Sequence, residues 1–295
     1  MDKYGIAIIE GGAGKSVVFT AVAQAIKKAH PDRQLFVFTA YPEVLLNCPA
    51  IDRVYRLGQV NYFYDDFIKG KDVEFFCEEP YKSRTFLKEE KHIIQAWCDC
   101  VGVPYSGEVP SFHLNPVELE MAYRRIAHIQ KPIIVIQPNG GGNQNLPYSW
   151  NRDIPTKQIT EMVGILNQKY HILHFGRDNQ PNINGAEKIP GSIRELVAIM
   201  TFSKGRILID SCFQHAAAAL NLPSTVCWIT NHPRNWGYSI HKNILPKVGI
   251  ENTIIHRPEA FLNEFDFTGG RFYDYKYNTH DIFNTTEIIN TYMQA

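Results

Sequence analysis

Short runs of β-branched and aromatic residues alternate with segments of helical periodicity along most of this chain. That alternation restricts the fold to parallel βαβ units with right-handed crossovers. In the first half, residues 4–10, 34–39, 52–57 and 71–77 read as strands, and 17–29 and 88–101 as helices. Val18, Val22, Ala25, Ile26 and Ala29 share one face of the first helix, and Ile93, Ile94 and Trp97 one face of the second. The texture then changes. Residues 103–116 hold three prolines and little periodicity, 117–129 read as one helix, and Lys131-Pro132 closes the stretch as a linker. A second series follows, with strands at 133–137, 170–175, 187–189, 206–209 and 224–229 and helices at 156–169, 192–202 and 213–220. Residues 261–284 give no clear element, and 285–293 read as a closing helix. Two consecutive α/β domains are expected, 1–130 with the linker and 131–280. The segment 281–295 is expected to pack back on the first domain.

Length and composition agree with this division. A chain of 295 residues, 44% hydrophobic and 20% charged, fills two ordinary globular domains. Lys plus Arg and Asp plus Glu stand at 30 each, so no global field draws the chain to nucleic acid or an anionic membrane. Cys48, Cys77, Cys98, Cys100, Cys212 and Cys227 show neither Cys-x-x-Cys spacing nor paired histidines. A reduced, cytoplasmic setting without zinc or disulfides is therefore expected. No run approaches the length of a bilayer span, and no signal peptide is expected.

The stretch Glu10-Gly11-Gly12-Ala13-Gly14-Lys15-Ser16 invites a phosphate-loop reading. The standard loop requires a glycine where Ile9 stands. The variant loop of the ParA/MinD-like ATPases fits except at its first lysine, which is Glu10 here. Arg206-Ile207-Leu208-Ile209-Asp210 mimics the acidic strand of such enzymes, but it lies across the expected domain boundary. The glycines alone are equally explained by a turn that lets a helix pack close to a strand.

The second domain carries the more specific pattern. A buried strand ends at Asp210, turns through Ser211 and Cys212, and enters an alanine-rich helix containing Gln214 and His215. Free backbone N–H groups at such a helix start favour phosphate, and ligands of open parallel sheets sit at the carboxyl ends of strands. Strand 133–137 runs into Pro138-Asn139-Gly140-Gly141-Gly142. Arg152-Asp153-Ile154-Pro155 precedes a helix, and Ile229-Thr230-Asn231-His232-Pro233-Arg234-Asn235-Trp236-Gly237 follows another strand on the same edge.

In that order these segments resemble glycosyltransferase family 9, the heptosyltransferase-like inverting enzymes of the GT-B fold. The family's pieces are H-P-G, a K-R-W-P-like segment, D-S-G-x-x-H-x-A-A-A-L-x-x-P and F-G-P-T-x-P-x-x-W-G-P. The first domain is similar too. Gly11 to Lys15 stands for the family's G-x-x-G-D, His30-Pro31-Asp32 for its P-D strand lead, and Asn47-Cys48-Pro49-Ala50-Ile51-Asp52 for its N-P-x-I-D turn.

The resemblance implies two Rossmann-like α/β domains facing a central cleft, an acceptor-side first domain and a second domain that holds a nucleotide-sugar donor. It further implies sugar transfer with inversion to a glycan or other hydroxyl acceptor, without a metal or other cofactor. Asn139, Gly140, Arg152, Asp210, Ser211, Cys212, Gln214 and His215 would bind or shape the donor phosphates. Gly12, Gly14, Asn231 and Trp236 would line the acceptor and cleft side. Lys15 stands where the family has its aspartate base, which leaves Glu10, or more distantly Asp65 or Asp66, as the carboxylate. Three readings stay open: a transferase, a catalytically altered nucleotide-sugar-binding relative, and the ATPase.

Overall fold

The computed structural model describes residues 1–58, 60–140, 152–247 and 281–293. The chain forms two compact units, Met1–Leu114 and Asn115–Ala295.

In the first unit β1 (Lys3–Ile9), β2 (Gln34–Thr39), β3 (Arg53–Arg56) and β4 (Asp72–Phe75) make one sheet in the order β3-β2-β1-β4. Every pair is parallel, with Ile6 opposite Phe36 on one side and Phe75 on the other. Alternation along the strands sends Tyr4, Ile6, Phe36, Phe38 and Tyr55 to one face, where they meet Phe63 and Phe67. Phe67 lies in a single π-helical turn, Tyr64–Ile68, that also carries the exposed Asp65 and Asp66. The opposite face is covered by α1 (Ala13–Ala29), whose Phe19 ring lies 5.1 Å from that of Trp97 in α3 (Ile93–Cys100). A short helix, α2 (Arg84–Leu87), precedes α3. Helix α1 starts four residues earlier than its apolar periodicity suggests, because Gly12 enters it directly with extended backbone and no side-chain cap.

The second unit opens with α4 (Pro116–Ile126), which a capping box between Asn115 and Glu118 starts. Its sheet holds β5 (Ile133–Ile136), β6 (His171–His174), β7 (Glu187–Lys188), β8 (Gly205–Ile209), β9 (Thr225–Cys227) and β10 (Lys242–Ile244). They lie in the order β10-β9-β8-β5-β6-β7, all parallel. Counted within the unit this is the dinucleotide-fold order 3-2-1-4-5-6, whose direction reverses between β5 and β8. Strands β5 and β8 are buried at every position, as central parallel strands require. Around them pack α5 (Thr156–Leu166), α6 (Ile193–Met200), α7 (Cys212–Ala219), α8 (Pro233–Trp236) and α9 (Thr285–Met293).

Two expectations are corrected here. The linker helix belongs to the second unit, where α4 packs on α6 and Glu118 accepts hydrogen bonds of 2.5 and 2.7 Å from the buried Arg194. The closing helix, expected on the first domain, has its apolar residues in the second unit: α9 buries Ile288, Ile289 and Tyr292 in that unit's core. Gln158 on α5 secures the approach to it, accepting from Ile282 N and Phe283 N at 2.9 and 3.1 Å and donating to Phe283 O at 2.7 Å.

At the end of β6 the His174 ring is wholly buried, and neither nitrogen has a hydrogen-bond partner among the described residues. Burial, with a smaller push from Lys188, lowers its pKa from 6.5 to about 4. Between those values the unfolded chain takes up a proton that the folded chain refuses. Stability is therefore lost as pH falls through this window, by on the order of 3 kcal/mol at its lower end. Urea midpoints at neutral pH and near the lower end of the window should differ in the parent, and the gap should narrow in His174→Leu without closing, because the buried His241 imidazole is lowered too.

Candidate functional site

Order reversal in a parallel sheet opens a crevice between the carboxyl ends of the two strands concerned. In the second unit those ends are Gln137-Pro138-Asn139-Gly140 after β5 and Asp210-Ser211 after β8. Side chains tie them together. Ser211 Oγ donates to Gln137 Oε1, and Gln137 Nε2 donates to Asn139 O at 2.8 Å. Asp153, itself buried, accepts from Asn139 Nδ2 at 3.1 Å and Gly140 N at 2.7 Å. Gln180 Nε2 donates to Gly140 O at 2.9 Å. The loop after β5 is thus held from three directions as far as Gly140.

Gly140 is needed for space. A Cβ there would stand 2.4 Å from Arg152 Cδ and 3.2 Å from Arg152 Cγ. The half-buried Arg152 therefore runs over Gly140 toward Asp210, on whose carboxylate its charge acts. Burial pushes the Asp210 carboxyl above the usual range, against the opposing pull of Arg152 and of the Asn231 Nδ2 bond at 2.5 Å. Asn231 follows β9, so the carboxyl ends of β5, β8 and β9 meet on one edge.

Ser211 caps α7, its Oγ accepting from Phe213 N at 3.3 Å. Burial lifts the Cys212 thiol to about 12, while the nearby charge of the exposed Arg177 opposes that shift. The charges of Arg152 and Arg177 thus act on Asp210 and Cys212, the residues on either side of the Ser211 cap of α7. Helix dipole and cations add there, which is the electrostatics of an anion site.

Gln214 and His215 lie deeper. His215 Nδ1 is 2.8 Å from Tyr238 Oη, Gln214 Nε2 donates to Trp236 O at 3.1 Å, and His241 Nε2 donates to Gln214 O at 3.0 Å. Burial also holds the His241 imidazole below its usual range. Gln214, His215, Asn231 and Trp236 are all buried, so they fix α7 and the loop after β9 from within. Exposed and half-buried groups, Arg152, Ser211, Cys212 and Arg177, form the surface a ligand can reach.

The candidate residues of the first unit gather at the end of β1. Glu10 is exposed, and Gly11 adopts φ +101, a left-handed conformation that favours glycine. Gly12 is the exposed N-cap of α1, and Gly14 is half-buried in its first turn. Lys15 is buried, its ammonium ion-paired with Glu79. It lies 4.8 Å from the Tyr81 ring centroid and 5.4 Å from that of Trp97. A cation in the first turn opposes the helix dipole, and Glu79 with the two ring faces offsets this. The ammonium is thus committed to Glu79 and the two rings, whereas a phosphate-loop lysine keeps its ammonium for the phosphates.

Sequence reasoning missed Gln137, Asp153, Gln180, Arg177 and Glu79. Arg177 had one signal, its place just after a strand in Phe175-Gly176-Arg177. The others act through tertiary partners. Gly141, Gly142 and the segment from Tyr148 to Asn151 lie outside the described residues. Among the described residues no group of three or more His, Cys, Asp or Glu side chains is arranged to hold a metal.

No protein-family model matches the sequence, and none of the curated proteins does. Solved structures do match in fold. A family 9 glycosyl transferase from Veillonella parvula DSM 2008 aligns over 100% of this chain and 97% of its own, at 13% identity and TM-score 0.70. The ADP-heptose LPS heptosyltransferase II of E. coli aligns over 84% of this chain and 92% of its own, at 12% identity and TM-score 0.62. The E. coli heptosyltransferase WaaC, solved with ADP, covers 81% of this chain and 92% of its own, at 9% identity and TM-score 0.54. The fold is that of the heptosyltransferase-like GT-B proteins, two successive Rossmann-like α/β units.

Proposed function

We propose that the chain is a glycosyltransferase that takes a sugar from a nucleoside-diphosphate donor held by the second unit. The observation that carries this reading is the Ser211-capped start of α7 at the reversal point of the sheet, with the Arg152 stem lying over Gly140 and the charges of Arg152 and Arg177 acting on Asp210 and Cys212. The backbone at Ser211 and Cys212 receives the diphosphate, and Arg152 and Arg177 balance its charge. As the anomeric bond breaks, charge grows on the leaving diphosphate, so the same groups lower the barrier. Asn139, Gly140 and Asp210 shape this cradle from behind, with Gln214, His215, Asn231 and Trp236 supporting them. Bidentate guanidinium contacts suit a diphosphate better than a point charge does. Attack by an acceptor hydroxyl on the opposite face of the sugar inverts the anomeric centre, and the first unit serves the acceptor.

A second reading, a donor-binding protein without transfer, is favoured by Lys15, a buried cation where the resembled family has an acid. Calorimetry with ADP, GDP, UDP and CDP tests the shared premise. At least one should bind with the same affinity in magnesium and in EDTA. Binding of ATP that requires magnesium and disappears in Lys15→Ala, with no diphosphate bound, would sink the proposal in favour of an ATPase.

A further inference from the structure

Two loops at the carboxyl edge of the second unit's sheet bear on the cations of the proposed donor site. The Arg152 stem lies over Gly140, just after β5, and Arg177 stands just after β6. Exposed loops are ordinarily the least fixed parts of a fold. These two are fastened to each other.

Gln180, 40 residues from Gly140, makes the junction. Its Nε2 donates to Gly140 O at 2.9 Å, and its Oε1 accepts from Arg177 N at 2.8 Å. Its backbone N donates to Arg177 O at 3.1 Å. Lys188 closes the arrangement from β7, its ammonium donating to Gln180 O at 2.6 Å and to Arg177 O at 3.2 Å. The backbone of Arg177 is thus held at both its N–H and its C=O. Gln180 is buried, so water competes little for these bonds. Before the turn, Gly176 rests on the buried His174 ring, where a Cβ would stand 2.6 Å from His174 Nε2. The turn 177–180 is therefore seated on the end of β6, gripped from β7 and tied across to the loop after β5.

We propose that Gln180 and Lys188 are positioning residues of the donor site, which hold the Arg177 turn and the Gly140 loop at one fixed spacing. This rests on the donor-binding reading given above and involves the second unit alone. Neither residue touches the ligand. Each acts through backbone that carries Arg177 or lies under Arg152. With the spacing set beforehand, both guanidiniums meet a diphosphate without the loss that ordering a free loop would bring. A fixed spacing also favours two linked phosphates over a single one, since the second contact then follows the first at high effective concentration.

The test is calorimetry on the full chain with ADP, GDP, UDP, CDP, inorganic pyrophosphate and inorganic phosphate as probes. Gln180→Met keeps the bulk of the side chain but neither of its hydrogen bonds. It should weaken the best-binding diphosphate about tenfold. In the Arg177→Ala background the same change should cost about threefold or less, because the turn then has no guanidinium to place. The preference for pyrophosphate over phosphate should shrink in Gln180→Met, which a general loosening of the fold would not cause. Lys188→Met should act in the same direction, and Lys188→Arg should recover part of the loss. Should Gln180→Met fail to fold, Lys188→Met carries the same cycle with Arg177→Ala. Unchanged affinity in the single variant overturns the assignment, and so does an equal loss with and without Arg177. A parent that binds none of the probes instead overturns the donor-binding reading itself, and the positioning assignment falls with it.

Discussion

Arg152→Ala is expected to weaken nucleoside-diphosphate binding about 10- to 100-fold, the equivalent of one or two charge-assisted hydrogen bonds. The side chain that would be lost runs over Gly140 and acts on Asp210, so two causes must be separated. The first is direct loss of the guanidinium from the phosphates. The second is indirect: Asp210 is buried, and Arg152 is one of the groups that favour its charged form. Removing that cation leaves a less compensated acid beneath the start of α7, which repels an anion. The double variant Arg152→Ala with Asp210→Asn distinguishes them. Recovery of affinity assigns the loss to the stranded carboxylate, and no recovery assigns it to the missing phosphate contact. Arg152→Lys should regain only part, because an ammonium cannot make the paired contacts of a guanidinium. Calorimetry at fixed ionic strength reads all four proteins, and an unchanged dissociation constant in Arg152→Ala removes the residue from the site.

The framework of this site was legible because it depends on local pattern. A buried run ending in Asp210, the Ser211 cap and the small residues of α7 are adjacent in the chain, and they form what their order implies. Strand alternation likewise located the segments of β1 to β9, and the loop ends after β5, β8 and β9 fall on one edge as expected. What stayed hidden depends on partners distant in sequence. Asp153 was visible only as the neighbour of Arg152, yet its carboxylate clamps Asn139 and Gly140. Lys15 stood out only as a departure from the resembled motif, and its ion-pair partner Glu79 lies 64 residues away. Strand β10 is only Lys242–Ile244, too short for alternation to stand out. Helix α9 shows the same limit in another form: the helix over 285–293 was legible, but not which core would receive it.

That core makes the strongest stability prediction. Tyr292→Ala should cost the second unit about 3–5 kcal/mol, in the range for emptying a large buried aromatic site. The ring lies against Gly205 at the start of β8, where a Cβ would approach Tyr292 Cε1 to 2.4 Å. Its hydroxyl donates to Arg206 O at 2.5 Å and is 2.9 Å from Thr225 Oγ1, so it joins β8 to β9 as well as filling space. Tyr170 Oη donates to Tyr292 O at 2.6 Å and fixes the helix end. Tyr292→Phe keeps the packing and should lose only about 1 kcal/mol. Gly205→Ala overfills the same place and should cost about 1–3 kcal/mol. The two sites are therefore coupled. Gly205→Ala combined with Tyr292→Ala should destabilise by less than the sum of the single effects, since the added methyl enters space the ring has left. Chemical denaturation of the four proteins measures the cycle, and strict additivity would mean that ring and glycine do not share this contact. The consequence reaches the site, because β8 runs from Gly205 under the ring to Asp210 at the cradle. Tyr292→Ala should accordingly weaken diphosphate binding in proportion to the folded fraction it leaves, whereas Tyr292→Phe should bind as the parent does.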